Sequence, residues 1–101
     1  MITSKQRAQL RGLAQNLDTI IQIGKGGISP AVVESVNNAL QARELIKGRV
    51  LEASMLTARE ACDELCEVCK ADAVQVIGTR FVLFRRNPQK PQIELVKNKK
   101  K

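Results

Sequence analysis

Two groups of residues in this chain have types and spacings that could do chemistry: Cys62, Cys66 and Cys69, and the run Ile23-Gly24-Lys25-Gly26-Gly27-Ile28. Three thiolates at C-x3-C-x2-C spacing match the ligands of an iron–sulfur cluster that activates S-adenosylmethionine. Such ligands normally sit on a loop that can wrap the cluster. These fall inside one helical segment, on a stripe shared with Ala61 and Leu65, where cysteine packs as a small hydrophobe. The sequence contains no histidine, which excludes His-assisted nucleophiles and His metal ligands. Its carboxylates gather on a helix surface with no pocket implied. The expectation is a protein that is not an enzyme, takes no cofactor or small-molecule substrate, holds no metal, and buries its cysteines.

The glycine run points elsewhere. It follows the apolar strand Ile20-Ile21-Gln22-Ile23 and leads into Ser29-Pro30, where serine suits a helix N-cap and proline the first helical position. The helix would begin at Ser29, with its first N–H groups and positive dipole end over the glycines, an arrangement that attracts phosphate. Lys25 sits among them. Tight strand-to-helix turns also use glycine for the turn alone, so the loop does not settle function by itself. A P-loop needs Gly-Lys-Ser/Thr, and here Gly26 follows Lys25. A dinucleotide fingerprint over Gly24, Gly26 and Ser29, with Glu44 as the ribose-binding acid, fails at Ser29 and lacks the second half of its sheet.

Length and charge narrow the partner. One hundred and one residues make one domain, able to bury roughly two-thirds of its unfolded surface. The net charge of +7 is unevenly spread. Residues 1–29 carry Lys5, Arg7, Arg11 and Lys25 against Asp18; residues 30–80 carry six basic groups against eight acidic; residues 81–101 carry seven basic groups against Glu94. Charge at both ends and at the glycine loop favours a polyanion, with the acidic middle turned away from it. No run is apolar enough for a membrane span, and no signal-peptide core opens the chain. An odd cysteine count in one short segment is no disulfide framework. A cytoplasmic protein without membrane contact is the expectation.

In chain order, Thr3 and Gln6 form a capping box before a helix from residue 4 to about 16, with Arg7 and Arg11 on the flank of its apolar stripe. Residues 19–23 read as a strand, residues 29 to about 42 as a helix, and Leu45–Leu51 as a strand pointing Lys47 and Arg49 to one face. Thr57 and Glu60 cap a third helix to about Lys70, whose outer face is acidic. A hairpin follows through Gly78-Thr79. Pairing Val76 with Phe81 and Val74 with Leu83 puts those four in the core. It leaves Gln75, Arg80, Val82, Phe84 and Arg86 on an open basic face beside Lys47 and Arg49. Residues 1–86 then form the domain and 87–101 a basic tail, with a short extended segment at Ile93–Val96.

Several blocks resemble the CRM-domain family, the YhbY-like RNA-binding proteins associated with ribosome assembly: Thr3-Ser4-Lys5-Gln6-Arg7, the GKGG run, Ala42-Arg43-Glu44-Leu45-Ile46-Lys47, and Val74-Gln75-Val76-Ile77-Gly78-Thr79 ahead of Val82-Leu83-Phe84. The resemblance implies an α+β fold, a four-stranded mixed sheet with three helices in the order α-β-α-β-α-β-β, like the C-terminal domain of translation initiation factor three. It also implies a GxxG loop at Gly24–Gly27 that contacts RNA, and association with precursors of the large ribosomal subunit. Phe84 stands where the family pattern would have tyrosine, and the cysteines have no counterpart in it. The expected RNA-binding residues are Gly24, Lys25, Gly26 and Gly27, with Lys5, Arg7, Arg11, Lys47, Arg49, Arg80, Phe84 and Arg86. The alternative is a module that docks an acidic protein on the same basic face.

Overall fold

Local capping sets where the helices begin. In the structure, a computed structural model that describes residues 2–95, Thr3 Oγ1 accepts from the Gln6 N–H at 3.1 Å while Gln6 Oε1 accepts from the Thr3 N–H at 3.0 Å. Helix α1 (Ser4–Ala14) follows. Ser29 Oγ accepts from the Val32 N–H at 3.3 Å and Pro30 fills the first position of α2 (Pro30–Arg43). Thr57 and Glu60 repeat the reciprocal pair at 3.1 and 2.9 Å and open α3 (Ala58–Cys69). The strands are β1 (Thr19–Ile23), β2 (Leu45–Val50), β3 (Asp72–Ile77) and β4 (Arg80–Phe84). They lie in the order β1-β2-β4-β3, with β1 and β2 parallel and β4 antiparallel to both neighbours. Three helices and a four-stranded mixed sheet in an α+β arrangement are what the resemblance implied.

Helices α2 and α3 cover one face of the sheet, where Ile23, Val36, Leu40, Ile46, Leu65, Phe81 and Leu83 form the main core. Its tightest contact is at Gly48. A Cβ there would lie 2.5 Å from Phe81 Cζ and 3.1 Å from Ile21 Cβ, closer than real side chains approach, so the Phe81 ring rests against bare backbone at the centre of the sheet.

Helix α1 covers part of the other face, packing Leu10 and Ala14 on Leu45, Val74, Val82 and Phe84. Two expectations change here. Val76 does pair with Phe81, but Ala73 rather than Val74 sits opposite Leu83, because the register shifts between Ala73 and Gln75. The inserted residue turns Val74 to the α1 face, as a bulge does. Phe84 is not on an open surface: it is 2 % exposed, sealed under α1.

The segment from Asn87 to Leu95 also departs from the tail reading, since it folds back on the domain. Ile93 and Leu95 pack on the α1-side core, and the Asn87 side chain donates to the Gln41 carbonyl at 2.8 Å. The anchor is Glu44, a fully buried residue between α2 and β2. Its carboxylate accepts from the backbone N–H groups of Asn87 at 2.6 Å, Gln92 at 2.7 Å and Ile93 at 2.8 Å. Its own N–H closes α2 on the Leu40 carbonyl, and its carbonyl accepts from the Arg85 N–H at 2.9 Å. Val96 and the lysines at 97 and 99–101, part of the expected tail, lie outside the described residues.

Glu44→Gln replaces one accepting oxygen with an NH2 group that would face a backbone donor. Leaving a buried donor unsatisfied and trading charged for neutral hydrogen bonds costs about 2–3 kcal/mol. Urea unfolding should show that loss, and amide exchange at Asn87, Gln92 and Ile93 should accelerate. Wild-type stability and exchange in the variant would dismiss the clamp.

Candidate nucleic-acid interface

The chain leaving β1 turns at once. The Gly24 carbonyl accepts from the Gly27 N–H at 3.0 Å, and the Gly27 carbonyl from the Ser29 N–H at 3.1 Å. Gly27 takes φ +66°, the left-handed region that favours glycine. Gly26 has no positive φ, and a Cβ there would meet nothing within 4 Å; at Gly24 a Cβ would make an ordinary contact with Leu51 Cδ1 at 3.6 Å. The fold therefore asks for glycine at 27 and not at 24 or 26. What those two add is main chain without side chains, half-buried at Gly24 and exposed at Gly26, on either side of the exposed Lys25, with the start of α2 directly downstream.

Strand directions bring three connections to this end of the sheet. The parallel β1 and β2 finish here, and the β3–β4 turn lies here because β4 runs against β2. Leu51 N–H donates to the Ile23 carbonyl and Val50 N–H to the Thr79 carbonyl, both at 2.8 Å. Gly78 alone has positive φ in the two-residue turn, as a type II′ hairpin requires.

The half of the sheet face that α1 leaves uncovered carries Lys47, Arg49 and Arg80. A shallow depression of about 150 Å³ is lined by Lys47, Gln75, Ile77, Arg80 and Val82. Arg49 stands directly opposite Arg80 in the β2–β4 ladder, and its Nε is buried without a hydrogen-bond partner among the described residues. Like charges facing one another across strands are destabilising. The fold sets two arginines at opposed positions of neighbouring strands, where an anion would relieve them.

The other expected residues divide. Arg7 and Arg11 lie at the β3 edge, with Arg7 Nε donating to the Ala73 carbonyl at 3.2 Å. Lys5 is exposed in the first turn of α1. Arg86 follows the end of β4, so it sits at the end of the sheet away from the glycine loop and does not join Lys47 and Arg49. Phe84 is buried, as described. Arg85, one of the basic groups of the C-terminal third, is used inside the fold: its guanidinium donates to Asn37 Oδ1 at 2.7 Å, the Cys69 carbonyl at 2.9 Å and the Asn37 carbonyl at 3.1 Å.

Comparison with known proteins settles the kinship. The CRS1/YhbY (CRM) domain model matches residues 2–85. The chain belongs to this family. It is 37 % identical over 95 residues to the probable RNA-binding protein YqeI of Bacillus subtilis, covering 94 % of this chain and 99 % of that one. An RNA-binding protein of Haemophilus influenzae is 34 % identical over 84 residues, 83 % of this chain and 85 % of its own. The solution structure of a Staphylococcus aureus hypothetical protein, a candidate RNA-binding protein, matches with a TM-score of 0.79 at 41 % identity, over 95 % of this chain and all of that one.

In this CRM domain the three cysteines line α3 toward the core. Cys62 and Cys69 are buried, Cys66 is half-buried, and all three are free. Among the described residues no group of three or more Cys, Asp or Glu is disposed to hold a metal ion. The hydrogen bond with Cys62 and burial push the Cys66 thiol up, and burial pushes up Cys69. Both thiols are thus neutral when folded at pH 7.

A thiol raised by folding contributes stability below its unfolded pKa, about 8.5, and loses it as pH rises toward the folded value, because the unfolded chain ionises first. Cys62 shifts the opposite way, lowered by its hydrogen bond with Cys66, and offsets that partner, so the loss of stability expected in urea unfolding between pH 7 and pH 9.5 is assigned to Cys69. Cys69→Ala should cost about 1 kcal/mol at pH 7 through lost packing and narrow that pH difference. An unchanged difference would remove Cys69 from the account.

Proposed function

We propose that this CRM domain binds RNA through its backbone, clamping phosphate at Gly24–Gly27 and against Lys47, Arg49 and Arg80. The observation that carries the reading is the Arg49–Arg80 pair beside a loop with more glycine than its turn needs. Both features are costs or indifferences for the fold and gains for a phosphate ligand. GXXG loops of KH domains clamp nucleotide backbone in the same manner. The only aromatic residues of the chain, Phe81 and Phe84, are 1 % and 2 % exposed, so no aromatic ring is available for base stacking as in an RRM, and shape and backbone dominate. The RNA-binding names of the relatives support the same reading. We assign the RNA to ribosomal RNA of large-subunit precursors, following the family resemblance, and read the chain as a binding module without catalytic activity.

Lys25→Ala should lower the magnitude of the log–log salt slope by about 0.7–0.9, the share of one phosphate, on unrelated RNA sequences alike. Gly26→Asp should retain the wild-type melting temperature, since its Cβ meets open space. It should weaken binding by tenfold or more, because a carboxylate at contact distance from phosphate is repelled by about 1–4 kcal/mol. Anisotropy titrations from 50 to 200 mM salt measure both. Wild-type affinity and slope in the two variants would take the loop out of the interface. Nuclease-sensitive co-sedimentation with large-subunit precursors is the expected result in lysate; retention by an acidic protein after nuclease treatment would overturn the RNA assignment.

A further inference from the structure

The β3 edge of the sheet carries a groove of about 480 Å³, separate from the glycine loop. Its floor is the β3 backbone from Ala73 to Ile77. Three arginines wall it: Arg7 and Arg11 from α1, which covers one face of the sheet, and Arg59 from α3, which covers the other. The sequence hides Arg59, because Glu60, Asp63, Glu64 and Glu67 on the same helix give α3 an acidic character.

These arginines are poorly explained by the fold. Arg59 is the second residue of α3, where the positive end of the helix dipole opposes a cation. Its ion pair with Asp63 is 3.8 Å long between side chains 67 % and 63 % exposed, a kind that contributes little. Arg7 spends its Nε on the Ala73 carbonyl, and its terminal nitrogens have no hydrogen-bond partner among the described residues. The groove is also unsuited to an added peptide strand. An outer strand with free N–H and C=O groups would template one, but the register shift between Ala73 and Gln75 and the Arg7 bond to the Ala73 carbonyl interrupt that template. What stays available is a set of guanidinium forks, which match phosphate geometry.

The groove is continuous with the open sheet face. Gln75 and Ile77 line both the groove and the Lys47–Arg80 depression, so a basic path runs from that depression to the β3 edge. We infer that the β3-edge groove is a second site for RNA backbone phosphate and that Arg59 contacts it. This inference rests on the RNA-binding reading above and extends its footprint to α3.

The test compares Arg59→Ala with Lys70→Gly, using anisotropy against one structured ribosomal RNA fragment from 50 to 200 mM salt. Each variant removes one positive charge from α3 or its cap. Glycine suits position 70, where φ is +56°. Arg59→Ala should lower the salt-slope magnitude by about 0.7–0.9, and Lys70→Gly should leave it unchanged. Equal slopes in the two variants, with Lys25→Ala still lowering its own, would overturn the groove and leave the loop reading intact. Absence of RNA binding by the wild type would overturn both. A polyglutamate peptide bound by wild type and lost in Arg59→Ala, with RNA affinity unaltered, would give the groove to an acidic protein and overturn the inference.

Discussion

A buried carboxylate is tolerable only where donors meet it, and Glu44 meets three backbone N–H groups from a stretch of chain more than forty residues away. It also has φ +65°, a conformation that costs a non-glycine residue about 1–3 kcal/mol. Glycine would serve the backbone here and could not serve the three donors. The choice of glutamate joins the end of α2, the start of β2 and the return of residues 87–95 into one unit. That return lays Ile93 and Leu95 on the α1-side core, so the stability of the second sheet face depends on the turn in front of the central strand. Arg85, next in chain to β4, makes the matching contacts to α2 and to the last turn of α3.

Covering the sheet from both sides has consequences for how a polyanion can be met. α2 and α3 take one whole face, and α1 takes the end of the other where Leu45 and Phe84 lie. Only the part nearest the connections stays open, and it is there that cationic residues replace apolar ones at the same strand alternation. The charged surface is accordingly made of loop, half-face and edge, and its shape is a path around the domain instead of a plate.

What could be read in the sequence was local. The capping boxes at Thr3–Gln6 and Thr57–Glu60 and the Ser29-Pro30 start need only neighbours three residues apart, and each helix begins where they say. The alternation of Ile46, Lys47, Gly48, Arg49 and Val50 gave the faces of β2 correctly. The bulge that turns Val74 over was illegible, since one inserted residue leaves the apolar pattern intact while reversing its direction. The burial of Phe84 is hidden for a related cause: alternation assigns a face, and only packing by α1 says whether that face is wet. Glu44 and Arg59 depend on contacts between distant segments, Glu44 with Asn87, Gln92 and Ile93, Arg59 with the groove it shares with α1, and no spacing rule announces either.

The ring of Phe81 against Gly48 ties two positions that are far apart in sequence. Any side chain at 48 needs the volume that the ring now fills, so alanine at 48 is compatible only with a smaller residue at 81, and phenylalanine at 81 only with glycine at 48. Among relatives the two should covary. The order of change is also constrained: shrinking position 81 opens a cavity that the protein can survive, whereas enlarging position 48 first drives an atom into the ring, so evolutionary drift at this pair must begin on β4.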